Sequence, residues 1–193
     1  MKRVCVYCGS NFGDRPSYLA AAQLLGKELA VRDVELVYGG GNVGLMGAIA
    51  DAVLAAGGHV IGVIPQALVD KEVAHRGLPD LRVVQSMHDR KSLMAELSDA
   101  FIAMPGGLGT LEEFCEIATW TQLGFHRKAC GLLNVDGFYD GLLEFLNHAT
   151  AEKFIRPEHR TIVLADNDPG ALLTRLETYE LPNVQKWIDS NQQ

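Results

Sequence analysis

Hydrophobic residues in this chain fall into short continuous runs, separated by longer stretches in which apolar positions recur every three or four residues. The runs are Arg3–Cys8, Val34–Tyr38, His59–Ile64, Leu81–Gln85, Ala100–Met104, Ala129–Asn134 and Thr161–Ala165, and each reads as a β-strand. The intervening periodicity predicts helices near Pro16–Val31, Leu45–Ala56, Asp89–Leu97, Leu111–Leu123, Tyr139–Glu152 and Pro169–Glu177. Most of the strand segments are apolar at consecutive positions, which predicts a sheet covered on both faces. Regular alternation of strand and helix then predicts an α/β fold: a Rossmann-like, doubly wound, mostly parallel sheet of about seven strands with helices on both faces.

In such a sheet, ligands bind beyond the carboxyl ends of the strands. Glycine and polar clusters fall at those ends. Cys8-Gly9-Ser10 follows the first strand, and Gly39-Gly40-Gly41 follows the second. Pro105-Gly106-Gly107-Leu108-Gly109-Thr110 follows the fifth, and Met87-His88-Asp89-Arg90-Lys91 follows the fourth. One long irregular connection, Pro65–Asp80, has the length of a lid or an interface arm. The tail from Tyr179 to Gln193 is polar and weakly patterned, so it is expected either to pack across a partner or to fray.

With 193 residues, 48% of them apolar, the chain is expected to form a single domain, 1–193. A net charge of −7 argues against a nucleic-acid partner, which requires a basic face. No apolar run approaches the roughly 20 residues of a membrane span. Met1-Lys2-Arg3 leads straight into a strand without a signal-peptide core, and a cytoplasmic location is therefore expected. Cys5-x-x-Cys8 lies on a strand, where the two side chains point to opposite faces, and no second Cys or His pair accompanies it. All four cysteines are accordingly read as reduced thiols, mostly in the core.

Gly39-Gly40-Gly41-Asn42-Val43-Gly44 contains Gly-x-Gly-x-x-Gly between a strand and a helix. The acidic residue that a dinucleotide site needs about 20 positions on is missing, because Ile61-Gly62-Val63-Ile64-Pro65 stands there. These glycines either make a tight turn under a closely packed helix or line a mononucleotide site. Arg90 shares an otherwise apolar helix stripe with Met87, Met94 and Leu97. A guanidinium there needs a partner: a carbonyl, a core carboxylate such as Glu113 or Glu116, solvent reached by snorkelling, or a phosphate. Lys91 alone reads as a solvated charge.

The central stretch combines a glycine-rich turn with a helix start, a geometry that cradles phosphate. Thr110 is positioned to cap that helix, and Thr110-x-x-Glu113 fits a capping box. Yet Glu112, Glu113 and Glu116 place three carboxylates beside a presumed anion site. Glu113 can therefore be a cap, or a group that faces a cation formed during a reaction. The six histidines show no ligand spacing, and no metal is expected.

Pro105-Gly106-Gly107-Leu108-Gly109-Thr110-Leu111-Glu112-Glu113 is a complete PGGxGTxxE signature, and Met87-His88-Asp89-Arg90-Lys91 fits MxxRK. On these motifs, nearly the whole chain resembles the LOG ("Lonely guy") family of cytokinin riboside 5′-monophosphate phosphoribohydrolases. The resemblance implies hydrolysis of the N-glycosidic bond of AMP or its N6-prenylated forms, with no cofactor, by a homodimer. It implies Arg90 and Glu113 as catalytic residues. It also implies nucleotide contacts from Glu72, Arg90, Lys91, Gly106, Gly107, Leu108, Gly109, Thr110, Leu111, Glu112 and Thr119. Ser10, Gly40 and Gly41, at the ends of the first two strands, join these as candidate substrate contacts. The lysine decarboxylase label often attached to the family finds no support, because no lysine occupies a recognisable Schiff-base setting. The rival reading is a nucleotide or molybdenum-cofactor carrier on the same scaffold.

Overall fold

The structure, a computed structural model, describes residues 1–71 and 74–180. In chain order the elements are β1 (Arg3–Tyr7), α1 (Pro16–Val31), β2 (Glu35–Tyr38), α2 (Gly44–Ala55), β3 (Val60–Pro65) and α3 (Gln66–Val69). There follow β4 (Asp80–Val84), α4 (Met87–Leu97), β5 (Ala100–Ala103), α5 (Leu108–Gln122) and β6 (Ala129–Leu133). A 3₁₀ turn at Val135–Gly137 leads to α6 (Asp140–Ala151), α7 (Pro157–Arg160), β7 (Val163–Asp166) and α8 (Pro169–Thr178). The seven strands form one sheet in the order β4-β3-β2-β1-β5-β6-β7, and every pairing is parallel.

Side-chain alternation along the buried strands divides the interior into two cores. Val4, Val6 and Cys8 face α1, α2 and α8 and meet Leu25, Ile49 and Leu172. Cys5 and Tyr7 face the opposite layer and meet Met94 of α4, Phe114 and Ile117 of α5, and Tyr139. Cys5 and Cys8 thus lie on opposite faces of β1, as expected, and all four cysteines are free thiols. Each large side chain removed from water here contributes about 1.5–3 kcal/mol before ordering costs. The edge strands β4 and β7 are only partly buried, which follows from each having one paired edge.

Several boundaries shift from the sequence expectation, one of them with functional weight. α4 begins at Met87 with Ser86 as its N-cap: the Ser86 hydroxyl accepts from the Asp89 N–H, and the Asp89 carboxylate accepts from the Ser86 N–H. α5 begins at Leu108, three residues before the predicted Leu111, and its N-cap is Gly107 with no side-chain cap. The predicted Thr110 cap is therefore corrected. Thr110 lies inside the first turn, buried, and the capping box with Glu113 does not form. An extended Gly107 lets Leu108-Gly109-Thr110 wind helically without a capping side chain, so the first N–H groups are left to point outwards.

The connection 65–80 is not wholly irregular. It contains α3 and is tied back across the β2 loop, where His75 N–H donates to Gly40 O at 2.8 Å and His75 Nε2 lies 2.9 Å from Asp51 Oδ1. Of the tail, 181–193 lies outside the described residues. Tyr179 packs against the first core, and its hydroxyl donates to Thr161 O at 2.6 Å.

Two left-handed glycines around α2 separate conformational from steric cost. Gly44 has φ +57, and a Cβ there would lie 2.3 Å from the Ser10 carbonyl carbon; Gly57 has φ +80, with open space around it. Gly57→Ala is expected to cost about 1–2 kcal/mol, the left-handed penalty alone. Gly44→Ala adds a backbone collision and should cost about 3 kcal/mol or more. Urea denaturation of both variants checks this, and equal costs would contradict it.

Candidate functional site

The chain leaves β1 towards one side of the sheet and β5 towards the other, so the switch point lies between these neighbouring strands. Their loops are clamped together at that point. Gly9 N–H donates to Pro105 O at 3.0 Å, and Leu45 N–H, at the start of α2, donates to Gly9 O at 3.1 Å. From the opposite layer, the buried Tyr139 hydroxyl donates to Met104 O at 2.6 Å, fixing the residue before the glycine loop. A cavity of about 240 Å³ opens there, lined by Gly9, Ser10, Phe12, Tyr18, Gly106, Gly107 and Phe138.

The glycine loop owes its composition to two constraints. At Gly106 a Cβ would lie 2.2 Å from Thr110 Oγ1 and 2.9 Å from Gly9 N, so internal packing excludes a side chain. At Gly107 and Gly109 a Cβ would meet nothing within 4 Å, and neither residue has a positive φ. Neither packing nor conformation requires glycine at these two positions. What glycine leaves there is open space directly over the free N–H groups and positive dipole end of α5, a seat for a phosphate-sized anion.

Arg90 and Glu113 face each other across the junction of α4 and α5. Arg90 is 9% exposed. Its Nε donates to Val63 O at 3.2 Å, its Nη2 donates to Gly39 O at 3.2 Å, and its Nη1 lies 3.8 Å from Met87 Sδ. Nη1 also lies 3.8 Å from Glu113 Oε1, too long for a direct hydrogen bond and short enough for an ion pair. The guanidinium is therefore anchored by the main-chain carbonyls of Gly39, just past β2, and of Val63, within β3, which leaves Nη1 facing Glu113. Of the partners expected from sequence, main-chain carbonyls and the core carboxylate Glu113 are the ones found.

Burial pushes the Glu113 carboxyl above the ordinary glutamate range, against the opposing pull of Arg90. A carboxylate shifted in this direction is a better proton acceptor than an exposed one. Cys8, buried nearby, is pushed up to about 12, chiefly by its burial and then by Glu113, so its thiol remains protonated and is no nucleophile.

Lys91 is not a solvated charge. Its Nζ lies 2.6 Å from Glu112 Oε1 and 3.0 Å from Glu116 Oε2. Those bonds, Glu112 first, hold its pKa above the ordinary lysine value. A Schiff-base lysine needs the opposite shift. Among the described residues, no group of three or more His, Cys, Asp or Glu side chains is arranged to hold a metal ion.

The remaining predicted residues divide by position. Gly106 to Glu112 line the loop and first turns of α5, although Leu111 turns its side chain towards the second core and Glu112 is engaged by Lys91. Ser10 is exposed at the cavity mouth. Gly40 and Gly41 lie on the neighbouring β2 loop, their carbonyls taken by His75 N–H and the Tyr38 hydroxyl. Thr119 is not brought to this cluster. It sits further along α5, its hydroxyl bonded to Cys115 O, beside a separate cavity of about 160 Å³ against α6 and α7. Glu72 lies outside the described residues. Nothing in the sequence singles out the Gly39 and Val63 carbonyls or Tyr139. The first two are main-chain groups, and a lone buried tyrosine carries no pattern.

Residues 46–176 match the family model described as "Possible lysine decarboxylase". A probable cytokinin riboside 5′-monophosphate phosphoribohydrolase of Oryza sativa subsp. japonica is 56% identical over 178 residues, covering 92% of this chain and 78% of the relative. A cytokinin riboside 5′-monophosphate phosphoribohydrolase of Arabidopsis thaliana is 51% identical over 179 residues, covering 93% of this chain and 82% of the relative. Among solved structures, the molybdenum cofactor binding protein of Rippkaea orientalis superimposes with a TM-score of 0.70 at 23% identity, covering 92% of this chain and 97% of that one. At that identity the likeness establishes the shared fold alone. With its signature motifs assembled at one sheet edge and relatives above half identity along nearly its whole length, the chain belongs to the LOG family, the cytokinin riboside 5′-monophosphate phosphoribohydrolases.

Proposed function

We propose that this protein hydrolyses the N-glycosidic bond of AMP or N6-modified riboside 5′-monophosphates, releasing the free base and ribose 5-phosphate. The observation that carries the reading is the buried Glu113 carboxylate, paired at 3.8 Å with Arg90, beside an open glycine cradle at a helix start. An anion site alone serves binding. A shielded carboxylate at its rim serves a reaction that builds positive charge.

In that reaction the bond from the ribose C1′ to the base nitrogen breaks, and its electron pair leaves with the base. The sugar acquires oxocarbenium character. The main-chain N–H groups of the 106–110 loop hold the 5′-phosphate and thereby place C1′. Glu113, ionised, stabilises the sugar cation and accepts a proton from the attacking water. The hydroxide adds to C1′, the departing base takes up a proton from solvent, and Glu113 returns its own to solvent, which restores the carboxylate. Arg90 keeps Glu113 ionised, and its unbonded N–H groups are free to meet the nucleotide.

The carrier alternative has no comparable support. The relatives above half identity are named as hydrolases, whereas the cofactor-binding structures share only the fold. We propose further that the protein acts as a homodimer in the cytoplasm. The exposed apolar side chains of Leu108, Leu123 and Phe125 support an interface, and the free, mostly buried thiols suit a reducing compartment. Thr119 and Glu72 then require their nucleotide contact to come through that assembly or through the 65–80 connection.

Glu113→Gln should lower kcat by about 10²–10⁴-fold, the range for losing a positioned acid–base group, while AMP still binds. Adenine release followed by chromatography, with AMP binding by calorimetry, checks both halves. Near-normal turnover would leave Glu113 with a structural role only. The rate should also fall on acidification. The needed carboxylate is ionised, so activity is lost as pH drops through the raised Glu113 pKa, above the ordinary 4.5. An acid limb at or below 4.5 in the kcat profile would contradict the buried setting.

A further inference from the structure

We propose that Gly39 is a positioning residue for the reaction, its missing side chain being what lets the Arg90 guanidinium dock on the end of β2. The inference rests on the hydrolase reading above and gives a role to a residue outside the PGGxGTxxE and MxxRK motifs.

A Cβ built on Gly39 would lie 1.8 Å from Arg90 Nη2, 3.0 Å from Cζ and 3.5 Å from Nε. These guanidinium atoms are its three nearest neighbours, and no backbone atom is among them. Gly39 is not among the positive-φ residues, so its conformation is open to any amino acid. Gly44 is the contrast, where a Cβ strikes the backbone of the first loop. Chain geometry therefore permits a side chain at 39, and Arg90 alone forbids it.

The consequence is specific. An added methyl does not unravel β2; it displaces the far end of a flexible side chain. Nη2 loses the Gly39 carbonyl, Nε is pulled from the Val63 carbonyl, and Nη1 moves relative to Glu113 Oε1. A misplacement of about 1 Å in a group that orients the reacting centre costs on the order of 10²-fold in rate. The phosphate cradle stands on α5 and the β5 loop and does not touch residue 39, so the grip on the 5′-phosphate is spared.

Gly39→Ala is the test, with Arg90→Ala and the double variant completing a cycle. The proposal expects Gly39→Ala to lower kcat for AMP by at least tenfold while KM changes by less than about threefold. It also expects Gly39→Ala to lower the urea midpoint in the native background and to leave it unchanged or raised in the Arg90→Ala background. Failure of Gly39→Ala to fold, cured by Arg90→Ala, would support the same coupling. An equal midpoint loss in both backgrounds, or a kcat that falls only with the folded fraction, would overturn it. If the native protein released no base from any nucleotide, the hydrolase reading would fall, and the stability cycle would still decide whether residue 39 and Arg90 are coupled.

Discussion

The buried Arg90 guanidinium is the constraint around which this structure is arranged. A cation taken from water into a parallel α/β interior costs several kcal/mol unless its donors are met, and the molecule meets them with main chain. Two carbonyls meet it, of Gly39 just past the end of β2 and of Val63 within β3, and the third partner is the Glu113 carboxylate. The strand ends, the α4 register set by the Ser86 cap and the first turns of α5 all converge on one side chain. A buried ion pair is weak ground for stability, and this one is loose at 3.8 Å. Its geometry is better explained by what it does to Glu113.

Three carboxylates near an anion site would repel a phosphate if all were free. Lys91 engages Glu112 and Glu116, and Arg90 faces Glu113. Two adjacent cations on α4 thus offset three acids on α5, and the helix dipole adds positive potential at the loop. The outcome is a cradle that tolerates phosphate beside a carboxylate that is shielded, raised in pKa and still compensated. On the proposed reading, binding and chemistry are neighbours on one helix because its free N–H groups and its second turn lie within a few residues.

Much of the fold was legible in the sequence, because both-face burial writes itself as continuous apolar strands. All seven strands and their parallel pairing follow from that alternation, and the largest boundary shift falls at β7, a partly exposed edge strand. The start of α5 was not legible. Glycine at 107 and 109 reads as loop, and a helix whose N-terminus awaits a ligand carries no capping side chain to announce it. The setting of Arg90 was half legible. An arginine on an apolar stripe demands a partner, yet carbonyls 27 and 51 residues away are identical for every residue type. Only the glycine at 39 leaves a trace, and there it resembles any turn glycine. The pairing of Arg90 with Glu113 as catalysts came from the family resemblance; the structure brings the two side chains together.

The central claim is that the site directs water to the sugar carbon of a nucleoside monophosphate, with the phosphate serving as a handle. Incubation with AMP and with isopentenyladenosine monophosphate in ¹⁸O-water, followed by mass spectrometry of the products, addresses it directly. The account predicts free base and ribose 5-phosphate in equal amounts, with the label at the anomeric oxygen of the sugar. Labelled inorganic phosphate with an intact nucleoside, or no release of base from either substrate, would contradict it.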